Sequence, residues 1–327
     1  MTLNAAVKRR VHDGLNALPR DLGLASSVFA PGLVWHGQHP VNDGVGLDGW
    51  LDGALRPLLA AMPDLERRDD IVTMGQQDGE VWVAACGHYV GTFDKPLFGI
   101  PATGHLASLR YGEFHRVDSK GLILEVVTLW DLIGLMQQAG VDPLPPSPGI
   151  PLFSPGPRRH DGVKLDTVDP VEGAKTLALM MAMGNGLGEY DGKTLESMAQ
   201  ERFWSPTMLW YGPAGIGSNR RLKGFQDFHQ RPFLIAFPDR RGAPNKVRIG
   251  DGDFIASRGW PSLEMTQTGP WLGHPATGQA ITMRVMDWWR REGDWLAENW
   301  VYIDIPHVFG QFGRDLFAEM RALAAKR

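Results

Sequence analysis

Gly99-Ile100-Pro101-Ala102-Thr103-Gly104 returns 174 residues later as Gly273-His274-Pro275-Ala276-Thr277-Gly278. One repeated turn-rich hexapeptide is a weak signal, but the match extends outward in both directions. Upstream, Trp35-His36-Gly37 answers Trp210-Tyr211-Gly212, Gly49 answers Gly224, and Met62-Pro63-Asp64 answers Phe237-Pro238-Asp239, all at an offset of 175. Downstream, Glu125 and Asp131 answer Glu298 and Asp304 at 173. Drifts of one residue are what loop insertions and deletions leave behind, so landmarks in a shared order mark a duplicated structural unit.

A length of 327 residues suits two such units, each burying a core of its own. Between the matched stretches, residues 142–162 carry prolines at 143, 145, 146, 148, 151, 155 and 157. Proline disfavours both helix and sheet, so this stretch reads as an extended linker between a first copy over 1–141 and a second over 163–327.

A formal charge of −4, with basic doublets such as Arg220-Arg221, Arg240-Arg241 and Arg290-Arg291 scattered rather than striped, predicts no nucleic-acid partner. The single cysteine, Cys86, excludes an intramolecular disulfide and a cysteine-rich zinc site, and fits a reducing compartment. The beginning of the chain lacks the apolar stretch of a signal peptide, and no segment approaches the roughly 18 apolar residues of a membrane span. A soluble cytoplasmic protein with no membrane association is expected.

Each copy reads as helices first and a sheet afterwards. Asp169 is placed to cap a helix over 170–183, and helices over 49–61 and 223–236 stop before Pro63 and Pro238, since a residue preceding proline is pushed out of the α region. Strand-like runs follow at 67–75, 81–90, 105–116 and 122–131, and again at 243–250, 253–262, 279–290 and 295–304. Short helices over 132–139 and 306–326 end the copies. This is an α+β layout with curved antiparallel sheets.

The succession of W-x-G, a glycine-led helix, P-D, a G-x-P-A-T-G turn, and a last strand carrying glutamate and then aspartate six residues on resembles the SnoaL-like polyketide cyclases of the nuclear transport factor 2-like (cystatin-like fold) superfamily, over most of both halves. The resemblance implies two tandem cone domains, each a bent sheet wrapped on helices around an apolar pocket, with no cofactor. Such domains pair as dimers through their sheets. The tandem chain is therefore expected to form an intramolecular pseudo-dimer of its halves, with further homodimerisation left open. In the family an acidic or polar residue often follows the tryptophan of an E-x-W segment. Here Glu298-Asn299-Trp300 is followed by Val301, and the first copy has Val127 where the tryptophan would stand.

Strand alternation groups the side chains of the last hairpin. Met283, Val285 and Asp287 share one face in the second copy, as Leu109, Tyr111 and Glu113 do in the first. If the turns at 118–120 and 291–294 close simple hairpins, Glu113 falls opposite Glu125 and Asp287 opposite Glu298. Facing carboxylates on an apolar surface repel, so one should keep its proton and leave an acid beside a base, as proton transfer α to a ketone requires. The bland alternative is that these acids are solvated or paired to arginine.

Asp131 and Asp304 lie about 20 Å further along an extended strand and cannot join the same dyad. The resemblance places an acid near there at the pocket mouth; a helix N-cap is the alternative for each. Trp300 and Tyr302 share the Glu298 face and are candidate substrate-binding walls, with Trp35, Trp210 and Tyr211 from the first strands and His88 and Tyr111 from the first sheet; packing is the alternative. Histidines cluster in the first copy at 36, 39, 88, 105 and 115, but His36 and His39 lie at loop spacing with no matched carboxylate, so no metal site is expected.

Three functions remain open at this level. One is a cofactor-independent enzyme acting on a hydrophobic carbonyl compound by intramolecular aldol closure, with epoxide opening or dehydration as related chemistries. Another is a non-catalytic binder of small hydrophobic molecules. The third divides the halves, one catalytic and the other its built-in partner.

Overall fold

The computed structural model describes residues 3–326. Asn4 opens the first helix, α1 (Ala5–Ala17), by accepting the N–H of Ala6, and α1 turns Val7, Val11 and Leu15 inward. A one-turn α2 (Ala25–Val28) leads into β1 (Phe29–Gly37) and β2 (Asp43–Val45). A helical run of α3 (Leu47–Trp50), a π turn (Leu51–Leu55) and α4 (Arg56–Ala61) follows. The sheet is then completed by β3 (Glu66–Gln77), β4 (Glu80–Thr92), β5 (Leu106–Val117) and β6 (Ile123–Trp130), and α5 (Leu132–Gln138) ends the half.

The second half repeats this order with α6 (Pro170–Gly188), β7 (Trp204–Tyr211), β8 (Asn219–Arg220), α7 (Arg221–Phe225), a π turn (Gln226–Gln230) and α8 (Arg231–Ala236). Its sheet continues through β9 (Arg241–Gly242), β10 (Lys246–Asp251), β11 (Phe254–Thr266), β12 (Ala280–Glu292) and β13 (Trp295–Ile303), before α9 (Ile305–Gln311) and α10 (Leu316–Ala324). The helix expected over 306–326 is thus two helices. Gly313 takes a left-handed φ of 83°, which ends one, and Asp315 caps the next through the N–H groups of Phe317 and Ala318.

The two sheets share one topology, β2-β1-β6-β5-β4-β3 in the first half and β8-β7-β13-β12-β11-β10 in the second. The only parallel pairings along these paths are β1 with β6 and β7 with β13. The π turns also coincide: each precedes an Arg-Pro step, Arg56-Pro57 or Arg231-Pro232. Proline cannot donate to the carbonyl four residues back, and the helix accommodates the lost bond by widening for one turn.

Helices cover one face of each sheet. The other faces meet one another around an apolar layer that includes Trp82, Phe114, Val127, Met286, Trp288, Trp300 and Tyr302. Phe114 and Trp288 lie 5.4 Å apart between ring centres across this layer. A Cβ at Gly112 would stand 2.8 Å from the Trp288 ring, so only glycine lets the sheets approach this closely here.

The proline-rich stretch runs along both halves: Ile150 bridges to Ser218, and Gly162 accepts the N–H of Val72. Among the described residues no helix is long and apolar enough to cross a membrane.

Candidate functional site

The hairpin registers decide which acids meet. Observed pairs are Arg116 with Glu125 and Glu113 with Thr128 in the first half, and Arg290 with Glu298 and Asp287 with Val301 in the second. The facing carboxylate dyads expected from simple hairpins are therefore not formed. Each turn is centred one residue further along than expected, and a bulge next to it, at Arg116/Val117 and at Arg290/Arg291, adds a single-residue shift. An odd shift sends a side chain to the other face of the sheet. Glu113 and Asp287 look into the cones, whereas Glu125 and Glu298 look into the layer between the sheets.

In that layer the bland reading of the glutamates holds. Glu125 is bridged by Arg116 at 3.0 Å and by Arg258 of the other half at 3.3 Å. Glu298, fully buried, accepts from Arg290 at 2.5 Å, from the Tyr211 hydroxyl at 2.9 Å and from the N–H of Arg158. Tyr211, Trp300 and Tyr302 belong to the same layer. Trp300 spends its indole N–H on the carbonyl of Pro155, and the Arg110 guanidinium sits 4.5 Å from the Tyr302 ring centre. None of these residues lines a cone pocket, and their assignment as pocket walls is corrected accordingly.

Asp131 and Asp304 prove to be caps. Asp131 accepts the N–H of Gly134 at the start of α5, and Asp304 that of His307 in α9. Trp35 packs on Trp50 in the first core, with no room for a Cβ at Gly44 or Gly49 beside it. His88 pairs with Asp70 at 3.0 Å outside the pocket.

The first cone holds a cavity of only about 20 Å³, walled by leucines of the helices, Trp50 and Phe29, and floored by Arg67, Tyr89, Glu113 and His115. Its floor is a closed network. Arg67 donates to Glu113 at 2.7 Å and to Asp69 at 3.0 Å, Tyr89 donates to Glu113 at 2.8 Å, and Tyr111 donates to Asp69 at 2.5 Å. Burial alone would raise the Glu113 carboxyl, but Arg67 together with His115 holds it far below the usual range. An acid so held is a poor proton acceptor at neutral pH.

The second cone holds a larger cavity of about 190 Å³, lined by Met183, Trp204, Trp210, Phe225, His229, Phe233, Leu263, Asp287, Trp289 and Asn299 among others. The ladder places Leu263 where the first half has Tyr89, Val285 where it has Tyr111, and Trp289 where it has His115. Asp287 therefore stands at the Glu113 position without an arginine to neutralise it. Burial among apolar walls pushes its carboxyl up to about 7, against a weaker opposing pull from the Asn299 amide and the Lys246 ammonium. His229, in the π turn, stacks on Trp210 at 4.3 Å, and burial pulls its imidazole down to about 3. The buried indole N–H of Trp289 has no hydrogen-bond partner among the described residues.

Of the residues singled out from sequence, Asp287 and Trp210 share the second pocket, while Glu113 faces the first and Tyr111 buttresses its floor. His229 escaped that reading, although Phe225, His229 and Phe233 form an i, i+4, i+8 stripe that marks one helix face. Arg67 carried no comparable signal. Among the described residues no group of three or more His, Cys, Asp or Glu side chains is arranged to hold a metal ion.

Comparison with known proteins fits this duplicated plan. The SnoaL-like polyketide cyclase family profile matches residues 6–139 and again 194–312. No curated protein sequence matches significantly. Similar solved structures include AclR from Streptomyces galilaeus, at 21% identity over 43% of this chain and 97% of that one, with a TM-score of 0.34. TsrD from Streptomyces laurentii is 22% identical over 42% and 98%, with a TM-score of 0.36. IdmH from Streptomyces antibioticus is 23% identical over 41% and 98%, with a TM-score of 0.33. With the family profile matched twice along most of its length, the chain belongs to the SnoaL-like polyketide cyclase family.

Proposed function

We propose that the second cone is the active one and that it works on a hydrophobic carbonyl compound by acid–base catalysis of the intramolecular aldol type. The observation that carries this reading is the unpaired Asp287 carboxyl, held near neutrality in an apolar pocket. A base poised near the working pH is both substantially ionised and still basic enough to take a proton.

In this scheme the ionised Asp287 removes the proton α to the ketone. The enolate attacks a second carbonyl of the same substrate, forming the ring bond, and the resulting alkoxide recovers the proton from Asp287. His229 stays neutral but keeps one ring N–H that can donate to the enolate oxygen, and the free Trp289 N–H is a second donor in the pocket lining. The apolar lining excludes water from the enolate.

The first cone, with Glu113 locked to Arg67, takes no part in turnover on this reading and serves as the partner domain.

The chemistry is testable without the natural substrate. In deuterated water, 2-tetralone should exchange its α-protons faster with the wild-type protein than with Asp287→Asn, by about 100-fold if Asp287 is the base. Equal exchange rates in the two proteins would remove Asp287 from the mechanism. Saturable binding of 2-tetralone with no catalysed exchange would support a non-catalytic binder instead.

A further inference from the structure

The pocket of the second half opens into a larger groove, with which it shares Leu187, Phe225, His229, Phe233 and Leu263. The outer part of this groove is lined by Arg240, Arg241, Lys246 and Arg248. Arg241 is neutralised by Glu264 at 2.9 Å. The other three have no carboxylate partner among the described residues: Arg240 donates to the carbonyl of Leu187, and Lys246 and Arg248 make no side-chain ion pair. Lys246 and Arg248 stand two apart on β10, so they share one face, while Val247 and Ile249 between and beyond them pack into the layer between the sheets.

The fold does not demand cations here. The ladder position of Lys246, opposite Gly259, is Asp69, opposite Gly87, in the first half. Likewise Arg241, opposite Glu264, answers to Glu66, opposite Val90, and Arg248, opposite Ser257, answers to Val72, opposite Ala85. Burial lowers both Arg240 and Lys246, which means their charged forms are held at a cost in desolvation. Three cations with no carboxylate in direct contact, Lys246 alone feeling Asp287 from a distance, form at the mouth of an apolar pocket an electrostatic trap for an anion whose apolar remainder fills the interior.

We infer that the second pocket takes amphipathic substrates, an apolar ring system inside and an anionic group, carboxylate or phosphate, held at the mouth by Arg240, Lys246 and Arg248. This rests on the second cone being the substrate site, but not on Asp287 being the base. The anion also orients the substrate, since only one end of the molecule meets the cations, and thereby selects which α-carbon is presented inside.

Binding to the intact protein tests this, read by the fluorescence of Trp204, Trp210 and Trp289, which line the pocket. The probes are 2-naphthoate, 2-naphthyl phosphate and the neutral methyl 2-naphthoate. At low salt, at least one anionic probe should bind ten-fold or more tighter than the ester, and that preference should shrink several-fold at 0.5 M salt. Which anion binds better separates a carboxylate-bearing substrate from a phosphorylated one. In the triple variant Arg240→Gln, Lys246→Gln, Arg248→Gln the preference should fall below about two-fold while ester binding is retained, which shows that the pocket is still folded. Equal affinity for ester and anions in the wild type, or an anion preference that survives in the triple variant, overturns the inference. In Asp287→Asn the anion preference should persist, so a failed exchange assay with a successful binding assay would sink the catalytic reading alone.

Discussion

Asp131 accepts the backbone N–H of Ala214 at 2.8 Å, joining the end of the first sheet to a turn of the second half. Asp304 mirrors it by accepting the N–H of His39 at 3.1 Å. Each aspartate thus divides its two oxygens between capping its own helix and clasping the opposite half. The arginines beside them follow the same symmetry, with Arg110 donating to the carbonyl of Gly212 and Arg284 to that of Gly37.

Truncating a clasp should therefore cost more than a cap alone. Asp304 is fully buried and also pairs with Arg284 at 3.2 Å, so Asp304→Ala strands a cation and two N–H groups. We expect a loss of about 3 kcal/mol, against about 1–2 kcal/mol for Asp131→Ala, whose arginine lies 3.9 Å away. Urea denaturation measures both; losses no larger than the roughly 1 kcal/mol of a simple helix cap in both variants would contradict the clasp.

The first pocket offers a double-mutant test. Arg67→Met leaves Glu113 and Asp69 buried without their counter-ion and should destabilise by about 3–5 kcal/mol. Adding Glu113→Gln should restore part of that loss, because one of the stranded charges is gone. Purely additive losses would mean that the network is not a coupled unit.

Close approach of the sheets predicts the effect of a single methyl. Gly112→Ala pushes a Cβ against the rigid ring of Trp288 and should cost about 1–3 kcal/mol without altering either pocket. Thermal unfolding at neutral pH would register this as a lower Tm, and an unchanged Tm would show that the layer can relax.

Asp287 and His229 make opposite contributions to pH-dependent stability. Asp287 titrates near 7 when folded against 3.8 ordinarily, so the stability it confers is complete below about pH 4 and is lost as pH rises to 7. His229 titrates near 3 when folded against 6.5, so its contribution is complete above about pH 6.5 and is lost as pH falls. The two slopes oppose one another in between. Asp287→Asn should accordingly differ little from wild type at pH 4 and be more stable by on the order of 4 kcal/mol at pH 7.5. In the exchange assay, the wild-type kcat/KM should rise through an inflection near pH 7 that the variant lacks. A constant stability difference across this range would show that Asp287 is not shifted.

Much of the architecture was legible because it was written twice. The Gly99–Gly104 and Gly273–Gly278 turns, and proline stops at Pro63 and Pro238, brought the helical runs before those prolines and the four long strands of each copy to within a few residues of their places, whereas α1, α2 and the short β2, β8 and β9 were not placed. Glu113 and Asp287 were also correctly grouped with the inward faces of β5 and β12, since alternation along one strand is local.

Pairing between strands is not local. The bulges at Arg116 and Arg290 leave no mark in composition, yet each moved a glutamate, and with Glu298 also Trp300 and Tyr302, to the far side of the sheet. The contrast between Glu113 and Asp287 was equally out of reach. It depends on Arg67, which comes from a different strand and has no counterpart at the matching position of the second half.

Joining the two sheets in one polypeptide has a consequence that a pair of identical subunits could never enjoy. In a symmetric assembly every change to one cavity is copied into the other, so loss of an unpaired acid in one is loss in both. A single continuous chain frees the two cavities to diverge, and its contact layer cannot be diluted apart, because the effective concentration of one sheet at the other is set by the tether rather than by the solution.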